Sequence, residues 1–176
     1  MGSELRFLGE ATTKCMNCGE LSFKVSMYVY RAPIVGDVLL ECGRCDSCGF
    51  GRSNVSVLNY GNPKTIRVRI ESVNDLRAIV VKSATASLSI PELGIEVTPG
   101  PAAYGYITTV EGILERVLDV IPSDCMNDEE CYKKVDKIKD AMDGREKFTL
   151  IIRDPSGGST VIGEGLNIVV EEDATY

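Results

Sequence analysis

The residues of this chain best suited to chemistry are its seven cysteines, at positions 15, 18, 42, 45, 48, 125 and 131. Five of them fall in two short stretches near the N-terminus, CMNCGE from Cys15 and CGRCDSCGF from Cys42. Clustered C-x-x-C pairs in a chain kept reduced read as metal ligands before they read as a disulfide framework. The complete absence of histidine narrows the chemistry further. There can be no Ser-His-Asp or Cys-His catalytic pair, no histidine base and no histidine metal ligand. Metal chemistry must rest on Cys, Asp or Glu.

The second stretch holds two overlapping C-x-x-C pairs, Cys42 with Cys45 and Cys45 with Cys48. A zinc knuckle turns tightly after its second thiolate so that amide N–H groups face the sulfurs, and a glycine there accepts a positive φ without steric cost. Gly19 follows Cys18 and Gly49 follows Cys48, so CMNCGE and CDSCGF share one shape, C-x-x-C-G-x. The rival pair places an aspartate after its second cysteine and breaks the match. Cys15, Cys18, Cys45 and Cys48 are therefore the expected ligands. Cys42 is left as a neighbour, to pack as a small apolar residue or to exchange as a ligand. Two matched knuckles argue against buried free cysteines, and a redox dithiol normally comes singly.

Four thiolates suit Zn²⁺ in a closed tetrahedral site with no position for water or substrate, which makes the site structural. About 60 residues bury little core, and zinc binding of roughly 10 to 16 kcal/mol in small zinc peptides supplies folding energy that burial does not.

The elements that must position these cysteines are legible as alternation. FKVSMYVY, from Phe23, places Phe23, Val25, Met27 and Val29 on one side; APIVG interrupts it, and DVLLEC leads to the second cluster. This is the strand, turn, strand layout of a zinc ribbon. YGNPK, Tyr60 to Lys64, reads as a linker. Beyond it, TIRVRIES, RAIVVKSA, ASLSI, KFTLIIRD and LNIVVEE read as short strands divided by turns, which argues a β-sandwich or barrel. DPSGG is expected to be a tight hairpin, because it lacks the lysine and following helix of a phosphate loop.

Two helices interrupt the strands. TTVEGILERVLDVI spaces Val110, Ile113, Leu114, Val117, Leu118 and Ile121 helically, with Thr108 and Thr109 as candidate caps. DEECYKKVDKIKDAMDG aligns Cys131, Val135, Ile138 and Met142 and stops at Gly144. Cys131 reads as a core residue of that helix face, with a Cys125–Cys131 disulfide as the alternative. The expected arrangement is an antiparallel helical hairpin packed on the β domain, its charged outer face solvated.

Composition sets the remaining bounds. The 176 residues are 44% hydrophobic and 26% charged, and no apolar run approaches the roughly 20 residues of a membrane helix. With no leader pattern at its start, the chain is expected to be cytoplasmic. Residues 1 to 62 carry six basic and six acidic side chains, so the net charge of −7 lies entirely beyond them. Nucleic-acid binding leaves a basic footprint, and neither part shows one. A nucleic-acid-binding zinc ribbon of the transcription or translation machinery is the alternative function, carried against that charge.

CMNCGE and CDSCGFGRSNV, then DLRAIVVKSATASLSIPELGIEVTPG, GYITTVEGIL and FTLIIRDPSGGS, taken in this order, resemble the ZPR-type zinc-finger proteins along nearly the whole chain. The resemblance implies a mainly β protein. A four-cysteine zinc ribbon would span 1–62, and a β-sandwich or double-stranded β-helix domain would span 63–176 with an inserted helical hairpin at about 108–143. It carries the ligand role to Cys15, Cys18, Cys45 and Cys48 with structural Zn²⁺. The single module resembles archaeal members, whereas eukaryotic ones repeat it in tandem. It further implies an interaction protein and not an enzyme. Eukaryotic members bind translation elongation factor 1-alpha and act in its folding, and are described as binding a growth-factor receptor. Of these, the GTPase is the expected partner. Cys42 and the run GRSN depart from the family pattern. Metal oxygenases on double-stranded β-helix folds use histidine triads, which this chain cannot form. Glu92, Glu96, Glu111 and Asp154 lie in the resembling blocks and are expected in turn, cap or surface roles.

Overall fold

In the computed structural model, residues 5–32, 36–58 and 61–172 are described. The turn expected at APIVG and the start of the expected linker, Tyr60, lie partly outside them.

The N-terminal part is a four-stranded antiparallel meander, β1 (Leu5–Thr13), β2 (Phe23–Ala32), β3 (Gly36–Cys45) and β4 (Gly51–Val57), in that spatial order. Alternation in the sequence picks out β2 and part of β3. Of the flanking strands, β1 escapes it because it is almost wholly exposed and buries no periodic face. β2 and β3 pair from Phe23–Cys45 to Ala32–Gly36, which sets the two knuckles side by side at one end of the sheet.

The remainder packs two sheets face to face. One holds β5 (Lys64–Ile70), β7 (Ser87–Ile90), β8 (Ile95–Val97), β10 (Phe148–Asp154) and β12 (Asn167–Glu172) in the order β12-β5-β10-β7-β8. The other holds β6 (Ile79–Lys82), β9 (Tyr106–Thr109) and β11 (Thr160–Ile162) in the order β11-β6-β9. Alternate residues Ile66, Val68 and Ile70 of β5 and Phe148, Leu150 and Ile152 of β10 point inward and meet Val80 and Val161 of the second sheet. Burial of these side chains drives the sandwich. β6 is apolar on both faces: Val80 joins this core, while Val81 packs with Val38 of β3 and Val57 of β4. The finger is thereby fastened to the sandwich through a core of its own.

Between β9 and β10 the chain forms the helical hairpin, α1 (Val110–Asp119) and α2 (Glu129–Met142). Thr109 Oγ1 accepts the Gly112 amide at 3.0 Å and Asp128 Oδ1 accepts the Cys131 amide at 2.7 Å, so each helix starts on a side-chain cap. Val110, Ile113 and Leu114 of α1 and Ile138 and Ala141 of α2 enter the sandwich core.

Two expectations change. Cys131 is not a free core residue but is joined to Cys125 in a disulfide. A short 3-10 turn, Ser123–Asn127, folds Cys125 back over the first turn of α2, which brings their Cα atoms to 5.4 Å. DPSGG turns tightly, Gly157 N–H donating to Asp154 O at 3.2 Å, but it does not make a hairpin. β10 before it and β11 after it belong to different sheets, so the turn carries the chain across the sandwich.

Candidate metal centre

The two knuckles repeat each other bond for bond. The Gly19 amide donates to Cys15 O at 2.8 Å and the Gly49 amide to Cys45 O at 3.0 Å. Cys15 N–H donates to Glu20 O and Cys45 N–H to Phe50 O, both at 2.8 Å. Gly19 and Gly49 sit at φ of 79° and 74°, the left-handed region the C-x-x-C-G-x pattern anticipates. The structure thus brings together Cys15, Cys18, Cys45 and Cys48, whose Sγ atoms all lie within 4.8 Å of one another. Cys15 and Cys45 are buried; Cys18 and Cys48 are exposed. Cys42 stands apart, exposed on β3 in register with Ser26 and Ser53, so it neither packs as an apolar residue nor joins the cluster.

Sulfur-to-sulfur distances of 3.7 Å, Cys15 to Cys48 and Cys18 to Cys45, match the edge of about 3.8 Å in a tetrahedron with Zn–S near 2.3 Å. The electrostatics also call for a cation. The Ser22 hydroxyl, 3.2 Å from its sulfur, together with the Ser47 and Cys48 amides, outweighs burial and holds Cys45 at about 6. Asn17, with the Phe50 amide, draws Cys48 down in the same way. At Cys18 the Glu20 amide pulls down, but burial and the crowding of the other three sulfurs prevail and push it up to about 12. Charge on Cys45 and Cys48 keeps the proton on Cys18, and a divalent cation offsets that crowding of negative sulfurs. The donor set fits Zn²⁺: four thiolates fill a tetrahedron, and the ion supplies structural cross-linking with no open position.

Three supporting residues were not singled out by motif. Asn17 donates from its side chain to Cys48 at 3.5 Å and from its amide to Cys15 at 3.4 Å, tying one knuckle to the other. The Ser22 hydroxyl serves Cys45 and is itself held by Ser47 at 2.8 Å. Phe23, with Phe50 and Val25, forms the apolar floor under the buried sulfurs. Gly43, which lies between Cys42 and Cys45, is explained here: a Cβ on it would stand 2.4 Å from the Phe23 ring. A glycine facing an aromatic ring on the neighbouring strand is a signal only once the β2–β3 register is known.

The four acids singled out in the resembling blocks do not converge on a site. Glu96 and Glu111 are exposed, on β8 and in the first turn of α1. Glu92 Oε1 accepts from Arg69 and Thr149, each at 2.9 Å; burial pushes its carboxyl up, but the Glu92 and Thr149 amides, with the Thr149 hydroxyl and the Arg69 charge, hold it below the usual range. Asp154 is buried beneath the DPSGG turn and accepts from Ser83, Thr85, Ser156 and Ser159. Among the described residues, no helix is long and apolar enough to cross a membrane.

The family model for the ZPR1 zinc-finger domain matches residues 10–59, and the one for the ZPR1 jelly-roll domain matches residues 74–167. An uncharacterized ZPR1-like protein of Methanocaldococcus jannaschii is 39% identical over 168 residues, covering 90% of this chain and 85% of that one. The chain belongs to the ZPR1 family. A second ZPR1-like protein, of Pyrococcus horikoshii, is 33% identical over 160 residues, 85% of this chain and 72% of that one. The zinc finger chaperone zpr1 of Schizosaccharomyces pombe is 31% identical over 153 residues, 80% of this chain but 33% of its own length. The chain therefore spans about a third of its eukaryotic relatives, against most of its archaeal ones. The two-sheet sandwich described above is the family's jelly roll, and its finger is a four-cysteine zinc finger.

Proposed function

We propose that this chain is a zinc-stabilised binding protein, not an enzyme, that holds translation elongation factor 1-alpha and assists its folding or maturation. Cys15, Cys18, Cys45 and Cys48 are its zinc ligands in this reading. The observation that carries it is the closed tetrathiolate set joined by its own core to a jelly roll, in a family whose fission-yeast member is named a chaperone. A metal held by four thiolates has no position for substrate, and Glu92, Glu96, Glu111 and Asp154 are spent on hydrogen bonds or dispersed, so recognition is the activity this architecture supports best. The net charge of −7 favours a protein client over a polyphosphate one. A cytoplasmic location goes with this client.

The test is association of the purified chain with its cognate GTPase, in nucleotide-bound and nucleotide-free states, before and after zinc chelation. Binding in at least one state, with faster recovery of GTPase activity after denaturation, is the expected result. No association in either state sinks the proposal. Loss on chelation places the finger at or behind the interface, whereas unchanged binding assigns it to the jelly roll.

A further inference from the structure

Where the finger meets the jelly roll, an open cleft of about 610 Å³ separates them. Its walls are strand edges. β4 is the last strand of the finger sheet, and β9 is the last strand of the three-stranded sheet. They approach each other at the start of β9, where the Val55 amide of β4 donates to the O of Gly105, the residue before β9, at 3.2 Å, and a cleft opens beside that contact. Consecutive residues of both strands border it, Gly51, Arg52 and Ser53 on one side and Tyr106 and Ile107 on the other. Side chains of neighbouring strand residues point to opposite faces, so a cleft lined by both is bordered by the strand's edge. Unpaired strand edges are templates for a further strand.

The charge of the cleft is opposite to that of the chain. Among the described residues no acidic side chain lines it, while Arg52 and Arg116 do, in a protein of net charge −7. Neither arginine forms an ion pair among the described residues. Aromatic rings lie against them instead: the Arg52 guanidinium is 4.9 Å from the Tyr104 ring centre and that of Arg116 is 4.9 Å from Tyr106, and Arg52 also donates to Ala102 O at 3.3 Å and to Met16 Sδ at 3.8 Å. Glu41 shares an adjoining hollow with Arg52, but its carboxylate is taken by the Asn54 amide group at 2.6 Å. Asn54 accepts the Gly105 amide at 3.0 Å with its other end and is fixed there. A stacked arginine without a carboxylate partner offers a planar fork suited to bidentate carboxylate binding; Arg116 does so directly, and Arg52 by exchanging long contacts to neutral acceptors for shorter charge-assisted ones. Exposed Met16 of the first knuckle and Phe50 add apolar surface beside them.

We propose that this cleft docks an extended, acidic peptide segment of a partner protein, its backbone added along the β4 or β9 edge and its carboxylates on Arg52 and Arg116. Edge addition gives affinity through main-chain hydrogen bonds, and side chains at alternate positions give specificity. Two cations on a strongly acidic molecule suit a short acidic segment better than a nucleic acid, whose affinity grows with the number of phosphates neutralised. The inference extends to any client and does not require that it be the elongation factor.

The experiment selects random displayed peptides of about ten residues, the upper end of a usual strand, on the intact zinc-loaded protein. The best binder is then titrated as a labelled synthetic peptide, with labelled oligothymidylate as a parallel probe. The expected binders carry Asp or Glu at alternate positions, weaken as salt rises, and lose at least about tenfold in affinity, 1.4 kcal/mol, to R52E and to R116E. Replacing an alternate residue of the peptide by proline, which removes an edge hydrogen bond, weakens it as well. R52Q and R116Q, milder changes, shift affinity in the same direction with zinc content and melting unchanged. No enrichment, neutral or basic binders, indifference to both arginine changes, or tighter binding of the oligothymidylate would each overturn the proposal.

Discussion

Asp154 offers the sharpest quantitative test of how the jelly roll is held together. Its carboxylate is 1% exposed and accepts the Ser83, Thr85 and Ser156 hydroxyls at 2.8, 3.0 and 2.8 Å, and the Ser156 and Ser159 amides at 2.9 and 2.6 Å. Burial pushes this carboxyl up, but the bonds from Ser159, Ser156 and Ser83 together prevail and hold it at about 2, below its ordinary 3.8. At 1.36 kcal/mol for each tenfold change in proton affinity, that depression amounts to about 2 kcal/mol of stability. Because the folded value is the lower one, the contribution is complete above the unfolded value near 3.8. It is lost as pH falls through the folded value near 2.

Asp154→Asn removes the charge and leaves a neutral group of the same shape. The wild type should exceed D154N by about 2 kcal/mol at pH 7, a melting difference of roughly 4 to 8 °C at this chain length. The assay is denaturant unfolding of both proteins at a series of pH values, compared as a difference so that proton-linked loss of zinc cancels. The difference should shrink between pH 4 and pH 2, since the protonated carboxyl of the wild type and the side-chain amide of the variant face the same donors with one fewer acceptor. A difference that stays constant over that range would refute the assignment of the stability to the charged carboxylate.

Zinc content measured by metal analysis should be lost in Cys45→Ser and in Cys48→Ser but retained in Cys42→Ser, because only Cys42 lies outside the sulfur cluster. Retention of zinc by Cys48→Ser would reverse the choice between the overlapping pairs. Gly105→Ala places a Cβ 2.1 Å from Val55 O, so the edge of the finger must shift; a loss of about 1 to 3 kcal/mol in chemical denaturation is expected. An unchanged midpoint would show that this contact carries nothing. The Cys125–Cys131 bridge closes a loop across six positions, and chain entropy for a loop of that size gives about 2 kcal/mol. Treatment with a phosphine reductant should lower the melting temperature of the wild type and leave Cys131→Ser unmoved; equal response of the two would remove the bridge from the account.

Legibility followed the range of the interaction. The knuckles could be read because C-x-x-C-G-x encodes a turn within six residues, and Gly19 and Gly49 adopt the positive φ it demands. The helices could be read because Thr109 and Asp128 cap them within three residues and their apolar stripes recur every turn. β5 and β10 were visible for the same reason, with alternate residues buried. β1 was not, since a strand exposed along nearly all its length leaves no periodic signature. The bridge between Cys125 and Cys131 was legible only as the alternative, because the 3-10 turn that folds Cys125 back over α2 leaves no helical spacing between them. DPSGG was legible as a turn but not as a crossing, because the strand that follows it pairs with β6, some eighty residues earlier in the chain.

By itself the sequence determined which cysteines could act as ligands, that no histidine chemistry was available, and where helices start, because each depends on residues a few positions apart. Only the tertiary structure decided that Val81 faces the finger while Val80 faces the jelly roll, that Gly43 makes room for Phe23, and that Arg52 and Arg116 border one cleft. Val81 and its finger partners, Gly43 and Phe23, and the two arginines are separated by 20 to 64 positions, and a strand register or a sheet-to-sheet packing must exist before they can meet. Such contacts are fixed by burial summed over the whole fold, which no short stretch of sequence contains.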